Sequence, residues 1–417
     1  MQRSRCHACQ IAPCSLEETV LESYAIAHEQ ERLRPETADS RREVAPLAVK
    51  LMRTSAELEV LAPAWRRLHG EAAAASIFND WAWQSAWWRQ YGAGRELRLL
   101  VASRGAAIVG VLGAYVETRL QLGLPARVLR LIGDGGDTYP DDLGPLLAPG
   151  EERAVGGALA TALLGLPGYD VARLVDIDSA SQFPAAFSAA AGAAGLKCSR
   201  ERGQQIAYVR LPRDWNAFLY SVSAHRRSQI RRNRAKLARA QGTRFFVWSD
   251  AERLAAAVAR LAEIHRQRWG GASAAFASAQ YREVHLATMR DALARGRLRL
   301  YCLEIGGAIA AMLYCYRLRN RIYVVQAGFD PKYAQWRPGS VLIDHALEHA
   351  IGEGNEIFDF LRGEHEYKDR LATDWRETVS MSAFRPTIGA VAFRARHVYL
   401  ERTKAKVRSL ANSMPFM

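Results

Sequence analysis

The chain has 417 residues, 57 Lys+Arg against 43 Asp+Glu, and a formal net charge of +14. With 49% hydrophobic and 24% charged residues it is not a largely disordered chain, and its length suggests two or three domains. The charge excess by itself establishes no nucleic-acid partner.

Residues 1–45 read as a leader. The opening MQRSRCHACQIAPCSLEE is charged but lacks the apolar stretch of a secretory signal, so a cytoplasmic location is expected. Cys6, Cys9 and Cys14, with His7 adjoining Cys6, are poorly spaced for a tetrahedral zinc site, and no second CxxC pair completes one. No metal and no disulfide framework is expected. The long uncharged runs, Ala154 to Tyr169 and Ser179 to Leu196, are too rich in Gly, Ala and Pro for a spanning helix. The segment Phe78 to Trp88 holds four of the ten tryptophans. Trp83, Trp87 and Trp88 share a helical face suited to a core, and Trp81 could instead line a groove for substrate.

Two segments repeat one layout. Leu97-Arg98-Leu99, Gly105, Ala107-Ile108 and Tyr115 recur, each offset by 201, as Leu298-Arg299-Leu300, Gly306, Ala308-Ile309 and Tyr316. Both copies read as antiparallel hairpins with a glycine turn. A helix precedes each, over Trp81 to Tyr91 and Tyr281 to Leu293. A strand-like segment follows, Val128 to Tyr139 or Arg321 to Tyr333. Next come a helix, Glu151 to Leu164 or Ser340 to Gly352, and a short acidic strand, Val171 to Asp176 or Glu356 to Leu361. The order helix, hairpin, strand, helix, strand predicts two copies of one α+β unit, at 46–205 and 206–390, before a helical tail over 391–417. In each copy the strand, helix, strand passage is a crossover that can place parallel strands in a mostly antiparallel sheet, with a helix start at a strand end, a natural anion site.

The second copy carries the densest chemistry. Lys332 and Arg337 flank Pro338-Gly339-Ser340 at a helix start, where backbone amides, a hydroxyl and two cations can meet a pyrophosphate. The sequence there is neither a P-loop nor GxGxxG. The strand Phe358-Asp359-Phe360-Leu361 runs into Arg362-Gly363-Glu364-His365-Glu366-Tyr367-Lys368, which gathers acids, bases and a phenol at one strand end. Glu364 or His365 can take a proton from an amine, Tyr367 can give one to a leaving group, and Lys368 can hold an anionic substrate. The acid-free run from His225 to Arg239, including Arg231 and Arg232, can face a phosphate backbone or an anionic carrier.

These residues together resemble the acetyltransferase domain of the GNAT superfamily found in FemAB-like and cellulose-biosynthesis CelD-type bacterial proteins. The features that carry it are the basic helix, Ile264-His265-xx-Arg268-Trp269, the Leu298 to Tyr316 hairpin, Gly328-Phe329-Asp330-Pro331, Pro338-Gly339, and Phe358-Asp359-Phe360 leading to Tyr367-Lys368. The resemblance covers about residues 55–375. It implies a mixed α+β fold of two tandem GNAT-like domains, each a mostly antiparallel mixed sheet flanked by helices. It also implies acyl transfer from acetyl-CoA to an amine of an envelope, polysaccharide-precursor or small-molecule acceptor. Arg337, Gly339, Ser340 and Lys332 would hold the donor, Glu364, His365, Tyr367 and Asp359 would serve catalysis, and Lys368, Arg362, Trp81 and Arg231 would meet the acceptor. Gln335 stands four residues before Gly339, which departs from the usual phosphate loop of such domains. Two alternatives stay open: a FemAB-like transferase using aminoacyl-tRNA, and a non-catalytic module for an anionic polysaccharide or carrier.

Overall fold

The hairpins expected from the repeat form with the same register. The computed structural model describes residues 45–270, 273–363 and 366–399; the cysteine leader and residues 400–417 of the expected tail lie outside them. The first half holds β1 (Leu47–Met52), β2 (Glu96–Arg104), β3 (Ala107–Gln121), β4 (Leu124–Leu131), β5 (Leu146–Leu147) and β6 (Val171–Asp178). β7 (Lys197–Arg210) follows β6 and runs across the boundary between the halves, and the second half holds β8 (Arg244–Val247), β9 (Leu298–Ile305), β10 (Ala308–Leu318), β11 (Arg321–Phe329), β12 (Ile357–Asp359) and β13 (Asp374–Phe384). Leu97 of β2 lies opposite Tyr115 of β3, and Leu298 of β9 opposite Tyr316 of β10. The 201-residue offset is therefore a structural repeat.

The strands join in one sheet, in the order β1-β2-β3-β4-β6-β13-β7-β12-β11-β10-β9-β8. Its parallel pairs are β4 with β6 and β11 with β12, each closed by a crossover helix, Glu152–Gly165 or Pro338–Gly352. At the centre the halves exchange strands. β7 pairs with β12 of the second half, while β13, last in the chain, pairs with β6 of the first half and with β7. Residues 205 and 206, where the sequence suggests a boundary, lie inside β7.

The tryptophan helix Trp81–Tyr91 starts at Asp80, whose carboxylate accepts from the Ala82 N–H at 3.0 Å. Trp83 and Trp87 are fully buried, and Trp83 meets His285 of the Ala279–Ala294 helix edge-on at 5.2 Å between ring centres. Asp80 also accepts from Arg295 and Arg297, both at 3.2 Å, so a charged cluster spans the two halves beside the aromatic one. Trp81 donates its indole N–H to the Leu58 carbonyl at 3.1 Å and lies under Arg66 at 4.7 Å.

One expected strand is shorter than its sequence suggests. The strand-like run from Arg321 to Tyr333 stops at Phe329, because Asp330 accepts from the Lys332 N–H at 3.1 Å and starts the 3-10 helix Pro331–Trp336. Pro331 has no amide hydrogen to continue a ladder.

Candidate active site

β11 and β12 pair over three residues, from Arg321 opposite Ile357 to Tyr323 opposite Asp359. Beyond them the strands part: Phe360 turns its amide to Ala207 of β7 at 3.1 Å, while β11 continues to Phe329 beside β10. A strand that separates from its neighbour leaves backbone amides on that edge free for another acceptor.

A cavity of about 330 Å³ opens beside this split. Ala327, Gly328 and Phe329 at the end of β11 form one side, and Arg337, Gly339 and Ser340 at the start of the Pro338–Gly352 helix form another. Arg337 stands in the left-handed region, φ +51°, and no side chain caps the helix. The first-turn amides of such a helix have no intrahelical acceptor and carry the positive end of its dipole. Arg226, Arg268 and Arg370 also line the cavity, making four arginines and no carboxylate among the described residues of its wall.

Local packing fixes these groups. Gly328 allows a close approach, since a Cβ there would lie 3.0 Å from the His265 amide nitrogen on the Leu254–Trp269 helix. A Cβ at Gly339 would reach Phe329 at 3.3 Å and narrow the cavity. The Arg268 guanidinium lies 4.8 Å from the Phe329 ring centre and 4.5 Å from that of Trp269, and burial lowers its pKa. Arg226 is ion-paired with the buried Asp344 on the helix below the cavity. Burial raises the Asp344 carboxyl to about 6 against the opposing pull of Arg226.

Tyr367, on the Glu366–Leu371 helix, faces the same cavity, and burial pushes its phenol up to about 12. It stays protonated at neutral pH and suits a proton donor.

The turn after β12 is held from three directions. Leu361 donates its amide to Asp359 at 2.8 Å, and Arg362 donates its amide to Asp141 at 2.8 Å. The Lys368 ammonium donates to the carbonyls of Phe360, Leu361 and Arg362 at 2.9, 3.2 and 2.7 Å. A lysine has three donors and no acceptor, so Lys368 is fully used in fastening this turn rather than in meeting a substrate. Burial lowers its pKa to about 8.

The structure thus brings Arg337, Gly339, Ser340 and Tyr367 to one cavity. Lys332 does not line it; its ammonium lies 3.6 Å from Asp330 and is largely exposed. Asp359 is fully buried, with one carboxylate oxygen on Arg376 at 2.9 Å and the other on the Leu361 amide. Arg362 pairs with Asp176 at 2.9 Å and opens into a separate cavity of about 750 Å³ between β6, β7 and β13. Trp81 lies on the tryptophan helix and lines neither cavity, and Arg231 is exposed on the Ala224–Leu237 helix. Glu364 and His365 lie outside the described residues. Among the described residues no group of His, Cys, Asp and Glu is arranged to hold a metal.

Three contributors escape a motif-by-motif sequence reading. Arg226 is hidden within a long basic run. Arg268 stands in a recognisable Arg-Trp pair, but nothing local shows what it faces. Asp141 lies 221 residues from the turn it holds.

The acetyltransferase (GNAT) domain family matches residues 224–369. That stretch is similar to the family over the basic helix, the second copy of the hairpin, the Pro338–Gly352 helix start and Tyr367. No curated protein matches the chain. Among solved structures, FemX is 11% identical, with 81% of this chain and 97% of that chain covered at a TM-score of 0.54. L-PGS from Bacillus licheniformis is 14% identical, with 82% and 96% covered at 0.47. A tandem GNAT protein from the clavulanic acid biosynthesis pathway is 14% identical, with 82% and 100% covered at 0.42. The likeness to FemX is one of fold.

The first half differs at the corresponding helix start. Its crossover helix begins with Glu151 and Glu152, and Glu151 is bound by Arg104 at 2.7 and 2.9 Å. Leu143, Leu146 and Leu147 between β4 and this helix are buried in the core. Carboxylates at a helix N-terminus occupy the favourable potential that a phosphate would otherwise use.

Proposed function

We propose that the chain is an N-acyltransferase that moves an acyl group, acetyl in the first instance, from an acyl-CoA to an amine by direct attack. The observation that supports this most is the cavity at an uncapped helix start in the β11–β12 split, lined by four arginines and by no carboxylate among the described residues. The Gly339 and Ser340 amides with Arg337 hold the pyrophosphate, and Arg226 and Arg268 add charge on the opposite side. The freed edge of β11 directs an amide at the thioester carbonyl, where negative charge develops in the transition state. Glu364 or His365 takes the proton from the attacking amine. The C–N bond forms, the C–S bond breaks, and Tyr367 protonates the departing thiolate. Asp359, with both oxygens engaged, serves to position the turn. The first half takes no donor and shapes the acceptor side.

Isothermal titration with acetyl-CoA tests this reading. Wild type is expected to bind one equivalent, and Arg337→Ala to bind roughly tenfold more weakly, the scale of one charge-assisted contact. A folded wild type that binds no acetyl-CoA would refute it.

A second reading is aminoacyl transfer from charged tRNA. On the Ala224–Leu237 helix Arg226 and Arg234 turn inward to Asp344 and Glu348, whereas Arg231, Arg232 and Lys236 are exposed as an open cationic face. Filter binding of tRNA should then weaken in the Arg231→Ala/Arg232→Ala variant, and unchanged affinity would exclude this reading.

A further inference from the structure

The tip of the β3–β4 hairpin is built from the wrong residues for a solvated turn. Leu120, Leu122 and Leu124 are 72%, 63% and 45% exposed. Leu122 and Gly123 form the two-residue turn, both with positive φ, +51° and +83°. Such a turn favours Asn or Asp followed by Gly, and an L-residue with a bulky side chain is strained there. A polar residue at 122 would be better in both conformation and solvation, so the leucine implies an apolar contact outside the fold.

A second apolar surface abuts the first. The helix over 388–399 turns Ile388, Val391 and Val398 outward at 75%, 65% and 48% exposure, with spacings of three and seven residues that put them on one helical face. It is joined to the hairpin by Arg396, which donates to Gln121 at 3.1 Å, and Gly389 lies against the Pro125 carbonyl. The charge of this segment has one sign: the described residues 385–399 carry Arg385, Arg394 and Arg396 and no Asp or Glu. A projecting apolar tip beside a cationic segment is complementary to an anionic bilayer surface, into which leucines insert while arginines stay among the headgroups. Among the described residues no helix is long and apolar enough to cross a membrane.

Strand directions relate this edge to the cavity. β12 runs antiparallel to β7, whose first residue, Lys197, lies opposite Phe384, itself opposite Val171, the partner of Val128 in β4. The carboxyl end of β12 therefore runs along the sheet toward the hairpin edge.

We propose that this edge, with Leu120, Leu122 and Leu124 at its tip, docks the protein peripherally on an anionic lipid surface. The docking is independent of the acyl-transfer reading, because it is measured without donor or acceptor. The test is co-sedimentation of the full chain with phosphatidylcholine vesicles and with vesicles that also contain phosphatidylglycerol. Wild type is expected to sediment with the anionic vesicles, less at high salt, and hardly with phosphatidylcholine alone. Leu120→Ser/Leu122→Asn/Leu124→Ser should weaken this binding roughly tenfold or more, given the area each leucine removes from water, with unchanged melting and acetyl-CoA titration. Three outcomes would overturn the proposal: wild type left in the supernatant with both vesicles, a variant that binds as wild type does, or a concentration-dependent dimer that the variant abolishes.

Discussion

Asp141, in the first half, accepts a hydrogen bond from the backbone amide of Arg362, in the turn that follows β12 of the second half, at 2.8 Å. Asp141 is fully buried, its other carboxylate oxygen has no hydrogen-bond partner, and burial with the charge of Asp142 raises its pKa to about 7. The turn leading to the candidate acid and base residues is thus held by a side chain from the other half.

This burial sets a pH dependence. A carboxyl whose folded pKa is raised binds its proton more tightly in the native state, so its stabilising effect is present at low pH and is lost as pH rises toward about 7. Asp141→Asn keeps an acceptor for the Arg362 amide and removes the charge. The variant should match wild type near pH 4 and exceed it in stability by about 1–3 kcal/mol near pH 8. Urea midpoints across this range measure the difference; parallel pH profiles for the two proteins would contradict it.

Lys368 acts in the opposite sense. Its folded pKa is lowered to about 8, so the unfolded chain binds the proton more tightly, and stability from this group rises with pH between about 8 and the ordinary lysine value. Its three bonds to backbone carbonyls remain the larger effect. Lys368→Met should destabilise by about 3 kcal/mol, by leaving those carbonyls without a donor. Thermal melts at neutral pH should show a clear drop, and an unchanged Tm would mean the bonds contribute little.

Gly339→Val separates cavity shape from folding. The added side chain starts 3.3 Å from Phe329 and extends into the donor space. Acetyl-CoA affinity should fall roughly tenfold or more while stability changes by less than about 1 kcal/mol, the usual range for a position with room on its solvent side. Calorimetry and melting together check both halves of the expectation.

Cutting the chain at the boundary suggested by sequence should fail. A fragment of residues 206–390 lacks the first nine residues of β7, and Arg202, Glu201, Arg200 and Ser199 would no longer pair with Val379, Ser380, Met381 and Ser382 of β13. It also lacks β6, so β13 would lose both neighbours over this stretch. An unpaired apolar strand invites aggregation. Size-exclusion chromatography should show aggregates for 206–390, and a monodisperse folded fragment would refute this.

The local signals of this chain belong to the sequence. Alternating apolar runs about a glycine turn made both hairpins legible at Leu97 and Leu298, and Pro338-Gly339-Ser340 marked a helix start because proline suits a first helical position. The resemblance to GNAT domains rested on such short segments, and the family match covers the Leu298 hairpin and Pro338-Gly339-Ser340. The tertiary structure decided what those segments face. It exchanged β7 and β13 between the halves, because strand pairing depends on neighbours about 150 to 210 residues away that no local pattern specifies. It turned Lys368 from a cation free for a substrate into the fastener of three carbonyls, and brought Arg226 and Arg268 to a cavity whose other wall begins at Arg337. Periodicity records which face of an element is apolar, whereas the partner of a charged side chain is set by where the whole chain returns to in space.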